Sequence, residues 1–313
     1  MRLNGGNKMT EKRLFTLTKD KDNHRISFHA MASPCEILIQ TPERTLASLI
    51  ADAVSQEVWR IEAKYSRYNP LSLCSKINNS NGQVVAIDAE TYLLLNFADQ
   101  CYRLSAGLFD ISSGVLSKVW RFNDRADEKQ RFPTQGEINT ILAFVGWEKV
   151  FYDDKCIMLP PSMALDFGGI GKEYAVDRAI LLVKKMTEQP TLVNLGGDLA
   201  VTGPRLNSQA WQVAIEPISS VEPHQQQDMI IALHAGALAT SGDARRYFIK
   251  DNIRYCHVLN AKTGWPIQHA PRSITTVAPQ CTQAGVLATL ALLQGKNAED
   301  FLIGQDITFW VRR

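Results

Sequence analysis

The sequence predicts an α+β fold, since helical and strand-like stretches both occur without a regular β-α-β alternation. Apolar residues recur with helical spacing over residues 42–64, which predicts a long amphipathic helix. Apolar and polar residues alternate with a period of two over residues 211–215, which is typical of a half-buried strand. The second half of the chain consists mostly of predicted strands, so neither a pure β-α-β alternation nor a pure β-sandwich fits.

The composition is that of an ordinary globular protein. The 313 residues are 45% hydrophobic and 21% charged, with a formal net charge of +2. The basic residues are scattered, which excludes a nucleic-acid-binding surface as the leading interpretation. No apolar run approaches the roughly 20 residues that a transmembrane helix needs. The six cysteines form no CxxC pair, which argues against a zinc site or a disulfide framework and favours reduced thiols.

The N-terminal segment predicts no export signal. Residues 1–24 contain basic residues but neither an apolar core nor a small-residue cleavage site, and they carry no lipid-acceptor cysteine. We therefore expect a disordered leader over 1–24, a single domain with two subdomains over 25–313, and a cytoplasmic location.

The first predicted elements are two strands within residues 26–40, joined at Ser33-Pro34. Thr41 then supplies a helix N-cap, and the proline that follows suits the first position of the helix at 42–64.

Capping residues predict the next two helices. Asp88 can cap a helix over 89–106, and Gly107 can end it. A capping box that begins at Thr134 predicts a third helix near 135–145.

A fourth helix is predicted directly after Gly171, and a last one over 282–294 between Thr282 and Gly295. The remaining segments are predicted to be strands, at 191–195, 211–215, 228–234, 245–250, 253–259, 274–278 and 307–312. The pair 245–250 and 253–259 is expected to form a hairpin.

Glycines beside charged residues mark a candidate anion site between Asp166 and Lys172. Glycines that lead into a helix expose backbone N–H groups, and the helix dipole favours an anion there. Lys172, in the first turn, could reach a phosphate. The spacing is not that of a Walker A loop, and alone it is more typical of a tight strand-to-helix turn.

Several such motifs, each weak alone, occur in a fixed order along the chain. They are MASP from Met31, SRYNP from Ser66, GLFD from Gly107, LDFGGIGKEYAVD from Leu165, NLGGD from Asn194, TSGD from Thr240, HVLNAKTG from His257 and AGVLAT from Ala284. In this order they resemble the motifs of the ApbE family, the FAD:protein FMN transferases, over nearly the whole chain.

The resemblance implies a T-fold-like domain with a smaller α/β subdomain and an FAD-binding cleft between them. It implies that Tyr68 lies against the isoalloxazine ring, a task that suits its flat face and polar tip. The implied FAD contacts are Met31, Tyr68, Leu108, Phe109, Asp110, Asp166, Lys172 and Leu259. Asp177, on the helix after Lys172, is interpreted as structural.

The implied reaction moves the FMN moiety of FAD to a hydroxyl of an acceptor flavoprotein with a Thr/Ser flavinylation motif, and releases AMP. His257 is the candidate general base. Two alternatives stay open: a pyrophosphatase that splits FAD into FMN and AMP, and a non-catalytic FAD-binding protein.

The resemblance also implies a Mg²⁺ site, and here the chain departs from the family. The implied ligands are the carbonyl of Gly169 and two side chains one helical turn apart, at positions 285 and 289. Thr289 matches, but Gly285 stands where the family has Asp, and Asn260 likewise replaces an Asp. We expect weak Mg²⁺ binding, compensated by Asp243 or the FAD phosphates, and tighter binding after Gly285→Asp.

Overall fold

The computed structural model describes residues 13–21, 23–122, 132–215, 229–243, 247–251 and 253–313. Its helices are α1 (Arg44–Tyr65), α2 (Leu73–Asn78), α3 (Ala89–Leu104), α4 (Gln135–Leu142), α5 (Gly171–Met186), α6 (Cys281–Leu293) and α7 (Ala298–Ile303). Its strands are β1 (Thr16–Asp20), β2 (Asn23–Ala30), β3 (Ser33–Ile39), β4 (Val84–Ala86), β5 (Phe151–Tyr152), β6 (Cys156–Met158), β7 (Thr191–Leu195), β8 (Asp198–Val201), β9 (Trp211–Ile215), β10 (Met229–Leu233), β11 (Gly236–Gly242), β12 (Tyr247–Lys250), β13 (Ile253–Cys256), β14 (Ser273–Ala278) and β15 (Thr308–Arg312). Over these ranges, no helix is long and apolar enough to cross a membrane.

An eight-stranded antiparallel sheet organises the fold, in the order β1-β2-β3-β7-β8-β11-β14-β15. Successive side chains of a strand point to opposite faces. In β7, Val193 joins the core formed with α1, α5 and α6, whereas Leu192 joins the cluster of the β9–β10 hairpin. Because both faces are covered, the central strands are apolar on both sides. The segregated helices and antiparallel strands confirm the predicted α+β class.

A smaller part of the molecule is built around an aromatic cluster. Trp120 packs edge-on against Phe132 and Trp265, with ring centroids 5.1 and 5.4 Å away. Its indole N–H also donates to the carbonyl oxygen of Gly264 over 2.7 Å. The segment that precedes Trp120 and the segment that follows β13 therefore share one core, which also contains Ile138 of α4.

The turn between β2 and β3 lies at Met31 and Ala32, not at the predicted Ser33-Pro34. Both turn residues have positive φ, 50° and 56°. Such a two-residue turn matches the twist of a hairpin but is unfavourable for side chains other than glycine. The backbone N–H of Met31 donates to the Glu62 carboxylate over 2.9 Å, which helps to hold this geometry.

A strand of the large sheet lies before the predicted domain boundary at residue 25. β1 (Thr16–Asp20) pairs with β2 and is the edge strand of the large sheet, so part of the predicted leader belongs to the fold. Residues 1–12 lie outside the described residues. The predicted hairpin forms between β12 and β13, although residues 245, 246 and 252 of that prediction also lie outside them.

Two predicted helix starts are confirmed. The Asp88 carboxylate accepts the N–H of Thr91 over 3.0 Å at the start of α3. The capping box from Thr134 to Glu137 is complete at the start of α4. The N-cap of α1, by contrast, is Glu43 rather than the predicted Thr41, so that helix begins two residues later than expected.

The start of α6 is capped from another helix. Thr282 was the predicted cap, but α6 begins at Cys281 and the cap comes from Asp177 of α5. The Asp177 carboxylate accepts the N–H groups of Cys281 and Thr282 over 2.7 and 2.9 Å. This contact confirms the structural interpretation of Asp177. It also fixes the register between α5 and α6, on which the candidate site depends.

Candidate functional site

The Gly-rich segment lies at the start of α5, as predicted, and Asp166 shapes its turn. Asp166 Oδ1 accepts the N–H of Gly168 over 2.9 Å, and Oδ2 lies 3.1 Å from a guanidinium nitrogen of Arg67. The N-cap position of α5 is Ile170, whose side chain makes no capping hydrogen bond. The positive end of the helix dipole at this turn therefore favours an anion.

Tyr68 is presented to solvent beside this turn. Its side chain is 80% exposed. The Arg67 guanidinium lies 4.9 Å from the Tyr68 ring centroid and donates a 2.8 Å hydrogen bond to the Tyr68 hydroxyl. Because Arg67 also pairs with Asp166, a continuous chain of polar contacts joins the exposed ring to the Gly-rich turn.

Phe109 and Asp110 support the site from within the core. A Cβ atom built on Gly169 would lie 3.2 Å from the buried Phe109 ring, so the turn packs closely on it. The buried Asp110 carboxylate accepts the N–H groups of Ser112 and Trp147 over 2.7 and 3.1 Å. Burial raises the pKa of Asp110, although these hydrogen bonds oppose the shift. Asp110 thus anchors two backbone segments, while the adjacent Leu108 is half-buried.

Lys172 and Asp198 bring three of the sequence motifs together. Lys172 Nζ lies 2.6 Å from Asp198 Oδ2, and Asp198 Oδ1 accepts the N–H of Thr240 over 3.2 Å. Burial alone would lower the pKa of Lys172, but the carboxylates of Asp198 and Glu173 outweigh burial and raise it. The predicted phosphate-binding lysine is therefore held as a cation at the start of α5.

Glu173 occupies the space next to Gly285. A Cβ atom built on Gly285 would lie 2.5 Å from Cγ of Glu173 and 2.7 Å from its Oε1. The Glu173 residue is 8% exposed, and its Oε2 is buried without a hydrogen-bond partner. Burial raises the pKa of Glu173, and the negative charge of the nearby Asp198 carboxylate adds to this effect. The absence of a side chain at position 285 is what makes room for this buried carboxylate.

Asp243, the predicted substitute metal ligand, is committed to arginines. Arg254 Nε donates to one Asp243 oxygen over 2.6 Å, and its Nη2 donates to the other over 3.0 Å. Arg272 adds a third contact at 3.3 Å. In the described part of the chain, no three His, Cys, Asp or Glu side chains are grouped to hold a metal. A cation at this site would therefore need hydroxyl or carbonyl oxygens in addition to at most two such side chains.

The segment after β13 carries the other predicted site residues. His257 is half-buried, with its ring centroid 6.4 Å from that of Phe122. Leu259 packs against the aromatic cluster. Asn260 Oδ1 accepts the N–H groups of Lys262 and Thr263 over 2.9 and 3.2 Å, so this side chain closes a turn.

Three polar residues of the site were missed in the sequence. Arg67 and Asp198 lie in motifs in which other residues were the candidates, and Glu173 directly follows Lys172. Acidic residues are common in the exposed first turn of a helix, so Glu173 itself does not indicate in the sequence that it is buried. The one available signal was the glycine in the apolar helix α6, since glycine inside a helix often marks a close packing contact.

Comparison with known proteins identifies the family to which this chain belongs. A model of the ApbE family matches residues 31–308. The FAD:protein FMN transferase of Haemophilus influenzae is 30% identical over 247 residues, which cover 76% of this chain and 70% of that protein. The FAD:protein FMN transferase of Vibrio cholerae is 27% identical over 261 residues, which cover 83% and 77%. The crystal structure of the ApbE protein of Thermotoga maritima shares 28% identity and a TM-score of 0.81, over 92% of this chain and 94% of that one. The chain described here belongs to the ApbE family.

Proposed function

We propose that this chain transfers the FMN moiety of FAD to a Thr or Ser hydroxyl of an acceptor flavoprotein and releases AMP. Membership of the ApbE family and the transferase names of its relatives support this reaction. The structural observation that carries the proposal is the chain of contacts from the exposed Tyr68 ring, through Arg67 and Asp166, to the Gly-rich turn. It ties a surface suited to a flat ring to a turn suited to a phosphate.

FAD would lie along this chain of contacts. Its isoalloxazine ring would stack on Tyr68, and its phosphates would meet the start of α5, where Lys172 adds positive charge. The remaining predicted contacts fall into two kinds. Met31, Leu108 and Leu259 offer apolar surface, whereas Phe109 and Asp110 support the turn from within the core.

The chemistry is a substitution at phosphorus. The acceptor hydroxyl oxygen forms a bond to the FMN phosphorus, and the bond from that phosphorus to the bridging oxygen breaks. AMP leaves with the bridging oxygen, and the hydroxyl proton passes to a base. We assign this base to His257, because an imidazole exchanges protons near neutral pH.

Mg²⁺ is part of the proposal, held by the Gly169 carbonyl and the Thr289 hydroxyl. The bound cation would neutralise the negative charge that builds on the phosphate oxygens. Thr289 Oγ1 donates its proton to Ser241 Oγ over 3.2 Å, which leaves the oxygen lone pairs of Thr289 available to a cation. Gly285, the third predicted metal position, has no side chain to offer, and its space is taken by Glu173.

We also propose a cytoplasmic location, where the acceptor would have to be accessible. All six cysteines are unpaired and five of them are buried, and unpaired thiols are typical of reducing compartments. Cell fractionation with an antibody against the chain tests this part separately.

The transfer is tested by incubating the purified chain with FAD, MgCl₂ and a domain that carries the Thr/Ser flavinylation motif. We expect flavin fluorescence on the acceptor band of a denaturing gel, together with an equimolar amount of AMP. The matched control replaces the acceptor Thr with Val. AMP without a labelled acceptor would replace the proposal with FAD hydrolysis, and FAD binding without either product would indicate a binding protein.

A further inference from the structure

Helices α5 and α6 meet in a regular antiparallel register. Asp177 caps the N–H of Cys281, and one turn away Glu173 packs on Gly285. Each step of four residues back along α5 therefore corresponds to four residues forward along α6. One further turn along α6 leads from Gly285 to Thr289, and on the other side Gly169 lies in the turn that precedes the start of α5 at Gly171. These two positions are the remaining members of the proposed Mg²⁺ site.

The Glu173 carboxylate lies where a side chain at position 285 would begin. Its Oε1 and its carboxyl carbon are 2.7 and 2.9 Å from the Cβ position built on Gly285. An aspartate at 285 would place its own carboxylate one bond beyond that Cβ position. A carboxylate therefore lies beside Gly285, one helical turn from Thr289, although α6 itself supplies none.

The other carboxylates around Glu173 already have partners. Asp177 caps α6, and Asp198 binds Lys172 and the N–H of Thr240. Asp243, two residues after Ser241 in the chain, is held by two arginines. Among these carboxylates in the described part of the chain, Glu173 alone has a buried oxygen without a hydrogen-bond partner.

A buried, unpartnered carboxylate oxygen is costly unless a cation or a proton satisfies it. We propose that Glu173 is the carboxylate ligand of the divalent cation, and that it replaces from α5 the acidic side chain that α6 lacks at position 285. The inference deepens the proposed function and rests on it for the presence of the cation. Hard oxygen ligands from Glu173, Thr289 and the Gly169 carbonyl form a set suited to Mg²⁺ or Mn²⁺.

Direct Mn²⁺ binding tests this assignment without any transfer reaction. The free-Mn²⁺ electron paramagnetic resonance signal is followed as the full chain is added, with and without FAD, for the wild type and Glu173→Gln. We expect Glu173→Gln to weaken Mn²⁺ binding at least ~10–100-fold, the range found even for changes behind metal ligands. Glu57→Gln, which removes an ion-paired carboxylate on α1, is the matched control and should bind like the wild type.

A double variant tests whether the carboxylate ligand can be supplied from α6 instead of α5. The double variant Glu173→Gly with Gly285→Asp moves the carboxylate to α6 and removes the steric conflict between the two positions. We expect it to recover Mn²⁺ binding to within a few-fold of the wild type, whereas Glu173→Gly alone stays weak. Its folded state is checked by its melting temperature.

The outcomes separate this inference from the transferase proposal. Equal Mn²⁺ binding by the wild type and Glu173→Gln would overturn the role of Glu173, as would a wild type that binds no Mn²⁺ with or without FAD. Loss of binding in Glu173→Gln supports the role even if no acceptor is flavinylated. In that case the transferase proposal fails and the metal site stands.

Discussion

Glu173 and Gly285 are complementary across the α5–α6 contact: a Cβ atom on Gly285 would lie 2.5 Å from Glu173 Cγ. The acidic side chain of one helix fills the space that the other helix leaves open. This relationship changes the meaning of the glycine at 285. In the sequence it reads as the loss of a metal ligand, whereas in the structure it accommodates a carboxylate from the neighbouring helix.

The first prediction concerns substitutions at Gly285 alone. Gly285→Ala should destabilise the protein by about 1–3 kcal/mol because the core there has no room for a methyl group. Gly285→Asp should cost more, since it adds a second carboxylate beside the buried Glu173. The free energy of unfolding is measured by urea denaturation. The sequence alone predicts tighter Mg²⁺ binding after Gly285→Asp, whereas the structure adds the expectation of a loss of stability.

Gly171→Ala is the matched control for that experiment. A Cβ atom on Gly171, in the first turn of α5, would meet nothing within 4 Å. This change should leave stability unaltered or raise it, because alanine favours a helix over glycine. A Gly285→Asp variant as stable as the wild type would contradict the packing between Glu173 and Gly285.

A second prediction separates two roles of Lys172. Lys172→Met leaves the buried Asp198 carboxylate without its cation, which should cost on the order of 3 kcal/mol. Adding Asp198→Asn should recover most of this loss, because both charges are then gone. FAD and FMN affinities are measured on this double variant by flavin fluorescence. If Lys172 contacts the distal phosphate, the double variant should lose more affinity for FAD than for FMN. Wild-type affinity for both flavins would show that Lys172 does not contact the ligand.

Tyr68 offers a test of ring stacking that is independent of stability. Its side chain is 80% exposed, so Tyr68→Ala should change the free energy of unfolding by less than about 0.5 kcal/mol. FAD affinity should nevertheless fall roughly tenfold, since stacking on an aromatic ring contributes about 0.5–1.5 kcal/mol beyond buried area. Tyr68→Phe should retain most of the affinity. Leu71→Ala, equally exposed nearby, is the control, and a similar loss there would argue against stacking.

The proposed base is tested by His257→Ala. If His257 accepts the acceptor proton, the transfer rate should fall by ~10²–10⁴-fold while FAD binding stays nearly intact. A structural histidine would behave differently. The variant would then melt at a lower temperature and retain its rate per folded molecule, which would end the assignment.

Local sequence signals predicted the elements that depend on local interactions. The N-cap at Asp88 and the capping box at Thr134 form by hydrogen bonds within one helical turn. The local sequence is therefore sufficient to predict both. The β2–β3 turn was misplaced because Ser33-Pro34 is a strong turn signal, whereas Met31 and Ala32 are not. Their positive φ values are supported by tertiary contacts such as Met31 with Glu62.

The site was only partly predictable because its key contacts join distant segments. The Gly-rich turn and Lys172 could be located from local glycine spacing. The α6 cap from Asp177 and the packing of Glu173 on Gly285 link residues about a hundred positions apart, which no local pattern encodes. Asp243 illustrates the reverse case. It looked available as a metal ligand until the structure placed Arg254 and Arg272 on its carboxylate.

The most direct test of the proposed function is the intact mass of an acceptor domain after incubation with the chain, FAD and MgCl₂. The account predicts a mass increase of one FMN less one water, located on the Thr or Ser of the flavinylation motif and absent when EDTA is added. An acceptor whose mass stays unchanged, under conditions where the chain demonstrably binds FAD and Mn²⁺, would contradict it.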